Sequence, residues 1–168
     1  KACIEKNINV IPIPGACAMI NSLIASGIDT NEFIFLGFLP LNKKNRKEKL
    51  EEIKNANKTL ILYEAPHKLK NTLQELKDIF GEEENKRKIV LAREITKIHE
   101  EYIRGTINEI IEKSENLKGE IVLIIEANKN NKKIENELNN LSLEEHYKFY
   151  ENQGLEKKEI IKKIAKDR

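Results

Sequence analysis

Thr59-Leu60-Ile61-Leu62-Tyr63-Glu64-Ala65-Pro66-His67-Lys68-Leu69 joins a β-rich apolar run directly to a helix start. In open α/β sheets, ligands occupy crevices outside the carboxyl ends of strands. The Tyr63-Glu64 pair stands at such an end and is a candidate binding edge. The same residues also obey ordinary helix grammar. Proline suits a first helical position, and a glutamate near a helix N-terminus is stabilised by the dipole. Beyond them, Leu69, Leu73, Leu76 and Phe80 recur at helical spacing up to Gly81.

Upstream, Asn9-Val10-Ile11-Pro12-Ile13-Pro14 is a short extended segment whose prolines exclude it from the middle of a sheet. After Gly15, residues 16–25 form a small-residue helix that is apolar almost all round, a pattern expected of a buried helix. Gly27 ends it. Residues 33–39 read as a strand closed by Pro40, and the basic stretch that follows runs into a helix carrying Leu50, Ile53 and Ala56.

Downstream, Ile89-Val90-Leu91-Ala92 is the next strand, and residues 93–105 read as a loop leading into another. Thr106 and Glu109 form a capping-box signature ahead of Ile107, Ile110 and Ile111. Gly119–Glu126 is the clearest buried strand. Residues 128–140 are Asn/Lys-rich and read as a linker. A second capping box at Ser142 and Glu145 opens a helix with Tyr147 and Tyr150. After a turn at Gly154 comes a last helix, with Ile160, Ile161, Ile164 and Ala165 on one side and Lys158, Lys162 and Lys166 on another. Two short helices across a glycine turn resemble a helix-turn-helix.

The chain of 168 residues suits one domain with a small appendage. Charged residues make up 35% of it, yet the net charge is only +2, so the total does not announce a nucleic-acid partner. The distribution is more informative. Lys43, Lys44, Arg46, Lys47 and Lys49 face Glu48 alone within seven residues, and the last fifteen residues are also net basic. A charge run is usually a solvated face, but two separated patches raise the expectation of phosphate contacts. Cys3 and Cys17 form no CxxC and lack a metal-ligand spacing, so reduced thiols and a cytoplasmic setting are expected. No run spans a bilayer and no signal peptide is apparent. Lys1–Asn9 reads like the end of a helix feeding a strand, as though the chain opens mid-protein.

Three constellations carry chemistry. Ile13-Pro14-Gly15-Ala16-Cys17-Ala18 is a strand–glycine–helix junction that would let a ligand approach free backbone N–H groups. It is not GxGxxG, and a tight turn with a packed helix is the commoner explanation of such spacing. Tyr63-Glu64 is the second. The third is Arg93-Glu94 after the Ile89–Ala92 strand, either a surface ion pair or polar groups at a cleft. Nothing has the nucleophile–base spacing of a hydrolase or the ligand spacing of a metal site.

Four segments in this order resemble one family. They are Val10–Ala18, Gly37-Phe38-Leu39-Pro40, Thr59–Leu69, and Val90–Lys97 with Arg104-Gly105-Thr106 and Lys118-Gly119-Glu120. The combination resembles the small-subunit ribosomal RNA methyltransferase I family, the ribose 2′-O-methylating branch of the tetrapyrrole-methylase-like fold. The resemblance implies an α/β class, with a mixed five-stranded sheet flanked by helices. It divides the chain into the C-terminal α/β domain (1–127), a linker (128–140) and a helix-turn-helix-like tail (141–168). It implies dependence on S-adenosyl-L-methionine, a homodimer, and small-subunit rRNA or the assembled small ribosomal subunit as substrate, methylated on a cytidine 2′-hydroxyl. Carried over by position, Pro14, Gly15, Ala16, Cys17, Ala18, Tyr63, Glu64, Arg93, Glu126 and Ala127 would line the cofactor side. Lys43, Lys44, Arg46, Lys47, Lys158, Lys162 and Lys166 would meet RNA, and no metal is implied. The family's N-terminal domain is missing before Lys1, so half the cofactor cleft would be absent and the fragment alone inactive.

A hydroxyl acceptor benefits from a general base. Glu94, with Glu64 as second choice, is the expected carboxylate. Two alternatives stand beside this reading: a corrin or porphyrin methyltransferase of the same fold, and a non-enzymatic RNA-binding module.

Overall fold

In the computed structural model, which describes residues 1–84, 86–128, 138 and 141–167, the chain forms a mixed five-stranded sheet flanked by helices. The strands are β1 (Phe33–Phe38), β2 (Thr59–Glu64), β3 (Ile89–Arg93), β4 (Glu101–Gly105) and β5 (Ile121–Ile125). The helices are α1 (Ala2–Glu5), α2 (Ala18–Ser26), α3 (Lys43–Asn55), α4 (Pro66–Glu84), α5 (Ile107–Lys113), α6 (Leu143–Glu151) and α7 (Lys157–Asp167). The sheet order is β1-β2-β5-β3-β4. Among the described residues only β1 and β2 pair in parallel, and β5 runs antiparallel to both of its neighbours, β2 and β3.

The inner strands are buried on both faces, which explains their near-continuous apolar sequences. Leu60, Leu62, Ile89, Leu91, Ile121, Leu123 and Ile125 point to one face. There they meet Leu50 and Ile53 of α3, Leu69, Leu73, Leu76 and Phe80 of α4, and Ile107 and Ile110 of α5. The alternate residues Ile61, Val90, Ala92, Val122 and Ile124 meet Leu23 and Ile28 from α2 and its exit. The helical run of α4 is interrupted at Gly81, where backbone φ is 67°. Both expected capping boxes form: Glu109 accepts from Thr106 and Glu145 from Ser142.

The expectation of a buried α2 is corrected. The helix turns Leu23 into the sheet but leaves Ile24 68% exposed and Ile20 38% exposed. Its outer side is left open by the described residues. Residues 9–17 join no strand, and Val10, Ile11 and Ile13 face solvent. At the sheet edge, Phe33, Ile34, Phe35 and Phe38 are also exposed.

The tail helices α6 and α7 bury Tyr150 and Ile160 together with Leu138. Asp167 joins their ends, accepting from the Tyr150 hydroxyl at 2.5 Å and lying 3.2 Å from Nε2 of the fully buried His146. Most of the expected linker lies outside the described residues. Asn128 at its start is instead locked to the main sheet unit, donating from its backbone N to Ala56 O and from Nδ2 to Lys54 O. No helix among the described residues is long and apolar enough to cross a membrane.

Leu123 is fully buried at the centre of the middle strand. Leu123→Ala should therefore cost about 3 kcal/mol, transfer and cavity terms combined, read as a lower midpoint in urea unfolding.

Candidate functional site

Because β5 is antiparallel, its N-terminal end lies beside the C-terminal ends of β2 and β3. Glu64 pairs with Ile121 on one side, and Arg93 pairs with Ile121 on the other. A cavity of about 510 Å³ opens here, lined by Ala18, Phe38, Tyr63, Glu64, Ala65, Pro66 and the run Gly119–Val122. Its aromatic wall is braced by edge-to-face contacts of Tyr63 with Phe35 and Phe38, at centroid distances of 4.9 and 5.7 Å. A second concavity of about 500 Å³ lies at the opposite end of β3. Two of its charged side chains are already engaged: Arg104 donates to the α2 carbonyls of Ala25 and Ser26, and Glu109 caps α5. The first cavity is thus the better site, at the strand ends where α/β sheets hold ligands.

Of the residues expected at a cofactor, Ala18, Tyr63 and Glu64 line this cavity. Pro14, Gly15 and Ala16 belong to the exposed stretch ahead of α2. Cys17 is the α2 N-cap and contributes no side-chain cap, so Ala18 brings an uncapped helix N-terminus to the rim. Glu126 and Ala127 lie away from this cavity. The antiparallel course of β5 carries them to the far end of the sheet, where Glu126 O accepts two hydrogen bonds from Arg87. Arg93 is not part of the lining. Its Nε lies 3.4 Å from Glu101 Oε2 without hydrogen-bond alignment, and Nη2 donates to His99 O at 3.4 Å. Phe38, Gly119, Ile121 and Val122 carried no assignment from sequence, since strand direction decides their place. Gly119-Glu120, directly before the most apolar strand, was the available signal.

Both candidate carboxylates are engaged. Glu64 is buried. Its Oε1 accepts from Ala65 N at 2.8 Å and its Oε2 from the Thr72 hydroxyl at 2.6 Å. Thr72 in turn accepts from Arg46 Nη2 at 2.8 Å, and Arg46 forms a fork on Glu75 at 2.6–3.1 Å. Glu94 Oε1 accepts from Glu120 N at 2.8 Å and from Lys97 Nζ at 3.0 Å. The Glu120 amide, followed by Lys97, holds the Glu94 carboxyl below the usual glutamate range. A carboxylate that already accepts hydrogen bonds from the protein is a weaker proton acceptor, and in Glu94 the pKa is lowered as well, so these contacts weigh against a base role for either residue.

The basic stretch is partly redirected. Asn42 caps α3 by accepting from Lys44 N and Asn45 N, leaving Lys43, Lys44 and Lys47 exposed around the helix start. Arg46 turns inward, its side chain 15% exposed, which removes it from that patch. In the tail, Lys158 and Lys162 are exposed on α7. The side chain of Lys166 lies outside the described residues. Among the described residues, no group of three or more His, Cys, Asp or Glu is placed to hold a metal.

The profile of the Tetrapyrrole (Corrin/Porphyrin) Methylases matches residues 1–111. The chain belongs to that family. It is 44% identical over 172 aligned residues to the Ribosomal RNA small subunit methyltransferase I of Halalkalibacterium halodurans, covering 99% of this chain and 57% of the relative. The Bacillus subtilis protein of the same name is 44% identical over 95% of this chain and 54% of its own. The chain thus spans about half the length of the curated relatives it matches. Among solved structures, it superposes on the methyltransferase CobJ with a TM-score of 0.55 at 16% identity, over 72% of this chain and 52% of that one. The cobalt precorrin-4 methyltransferase CbiF gives 0.55 at 14%, over 74% and 55%. At such identities the likeness shows the fold alone, a tetrapyrrole-methylase sheet with its flanking helices.

Two outcomes follow from this geometry. Arg46→Ala should lower stability by about 2 kcal/mol, the usual scale for hydrogen bonds to a charged group, while Lys47→Ala leaves the urea midpoint unchanged. Glu94 should titrate below an ordinary glutamate in an NMR pH series. Its stabilising contribution is complete above the unfolded pKa and is lost as pH falls through the lowered folded value.

Proposed function

We propose that this chain is one half of an S-adenosyl-L-methionine-dependent methyltransferase acting on small-subunit ribosomal RNA, at the 2′-hydroxyl of a cytidine. The observation that carries the reading is the reach of the similarity. The likeness to ribosomal RNA small subunit methyltransferase I extends over 99% of the chain, tail included, whereas the tetrapyrrole-methylase profile ends at residue 111. A corrin or porphyrin methyltransferase has no use for the basic tail. Its support is the fold likeness to CobJ and CbiF, at 14–16% identity.

The cavity chemistry fits the donor. Phe38 and Tyr63 offer aromatic surface to an adenine, and the uncapped α2 N-terminus at Ala18 offers backbone N–H groups to a carboxylate. Bound there, S-adenosyl-L-methionine supplies an electrophilic methyl group on a sulfonium. The chain's own contribution is placement, and in-line positioning alone can lower such a barrier substantially. Glu64 fixes the start of α4 through Ala65 and Thr72, and so fixes the rim on which Tyr63 stands.

Lys43, Lys44 and Lys47 sit at the positive end of α3, where the helix dipole disfavours cations. Such a placement is poor for helix stability and good for an anion, and it supports phosphate binding. Exposed Lys158 and Lys162 on α7 extend the same chemistry to the tail, which we take as a unit separate from the 1–127 domain. Ile20 and Ile24 of α2 and Phe33, Ile34, Phe35 and Phe38 of β1 are exposed, and large apolar groups left open in this way suit protein contacts. They suit the remainder of a two-domain enzyme or a homodimer partner, working in the cytoplasm. With one wall of the cleft contributed from outside these residues, the isolated chain should be inactive.

The test is methyl transfer from radiolabelled S-adenosyl-L-methionine by the full-length protein, offered small ribosomal subunits or a precorrin. Label should enter the RNA at a ribose, resistant to alkaline cleavage at that linkage. Label in the tetrapyrrole alone overturns the reading. Lys43→Glu/Lys44→Glu/Lys47→Glu should weaken RNA binding and flatten its salt dependence by about two to three in log–log slope.

A further inference from the structure

We propose that Glu94 is a positioning residue that holds the Gly119–Glu120 turn against the cavity, and that it takes no proton from the acceptor. The proposal rests on reading this cavity as the cofactor's.

Glu94 follows directly on β3, whose Arg93 pairs with Ile121 of β5. It extends that ladder by one step past the strand end. Glu94 N donates to Glu120 O at 3.0 Å, and Glu120 N donates back to the Glu94 side chain at 2.8 Å. A carboxylate oxygen thus replaces the next backbone acceptor. Lys97 Nζ closes the arrangement, 3.0 Å from Glu94 Oε1 and 3.2 Å from Glu120 Oε2.

The fit is mutual and tight. Gly119 has φ +97°, and a Cβ built there would lie 2.4 Å from Cγ, Cδ and Oε1 of Glu94. The carboxylate occupies the space that any side chain at 119 would need. Glu94 and Thr96 both adopt left-handed backbone, with φ of 50° and 68°. For residues other than glycine that conformation is uncommon and persists where surrounding contacts enforce it. Here they do: Lys97 N donates to Glu94 O at 2.9 Å, and Thr96 N to Glu100 Oε2 at 2.5 Å. Such strain is found around ligand clamps.

Gly119 and Glu120 line the cavity, whereas Glu94 does not. Its influence must therefore pass through the turn. Its carboxyl is kept ionised by the contacts that hold the turn, which suits a permanent acceptor and ill suits a base.

The experiment uses the full-length protein and S-adenosyl-L-homocysteine as the calorimetric probe, with methyl transfer to small subunits measured alongside. Glu94→Ala removes the acceptor, Gly119→Ala drives a methyl group into its place, and Glu94→Gln keeps a carbonyl oxygen for the Glu120 amide. Glu94→Ala and Gly119→Ala should each raise the Kd for the probe, and the KM for the methyl donor, on the order of tenfold. The double variant should be no worse than the poorer single one, as expected for two changes to one contact. Glu94→Gln should restore most of the affinity and turnover, with the acid limb of the kcat profile unmoved. Amide exchange at Glu120 should speed up in Glu94→Ala and not in Glu94→Gln, a readout independent of activity. If Glu94→Ala does not fold, Gly119→Ala and Glu94→Gln carry the comparison.

The proposal is overturned if Gly119→Ala binds the probe like the wild type. It is equally overturned if Glu94→Gln abolishes turnover at unchanged affinity and shifts the acid limb, which is the signature of a base. A wild-type protein that fails to bind the probe overturns the cofactor reading first.

Discussion

Ile121–Ile125 pairs with Leu60–Glu64 on one side and Ile89–Arg93 on the other, antiparallel to both. Every other feature of the domain depends on this double pairing. It buries β5 on both faces and both edges, so its residues carry the centre of both apolar clusters. It also reverses the polarity of the sheet at one place. The start of one strand thereby lies between the ends of two others, and the cavity forms at that junction.

Two polar networks hold the walls of that cavity from opposite sides. On the β2 side, Glu75, Arg46, Thr72 and Glu64 form a chain from the helix surface to the strand end. On the β3 side, Lys97, Glu94 and Glu120 do the same for the turn before β5. Each places a carboxylate where a catalytic reading from sequence is natural. Both oxygens of Glu64 and Oε1 of Glu94 are already committed to protein donors. Polar groups with few rotamers and several partners position neighbours well and exchange protons poorly.

Much of this was legible in the sequence because local signals agreed with the fold. The apolar runs at 59–63 and 89–92, the two capping boxes, and the Leu69-Leu73-Leu76-Phe80 stripe all became the elements they promised, and the strand read over 119–126 formed over 121–125. Tyr63, Glu64 and Ala18 also fell at the cavity. What sequence could not supply was relative direction. Assigning Glu126 and Ala127 to the site assumed that the last strand ended where β2 ends, and an antiparallel β5 moves them to the opposite end. Arg46 could not be told from its lysine neighbours by composition. Only Glu75 and Thr72, a helix away, reveal that it faces inward. The apolar α2 reads as buried because periodicity reports what a helix can cover, not whether a partner in the same chain covers it.

The central strand is also the last of the five to be made. Leu60 waits for Ile125 and Ile89 waits for Ile125, so neither half of the sheet can close until synthesis has passed that residue. Before then the apolar faces and edges of β2 and β3 lack the neighbour that β5 supplies. Closing such distant contacts is slow compared with helix formation, and the exposed strand edges are prone to pairing with other chains meanwhile. Placing the keystone strand at the end of the domain thus makes assembly a late, nearly all-or-none event in the life of the nascent chain.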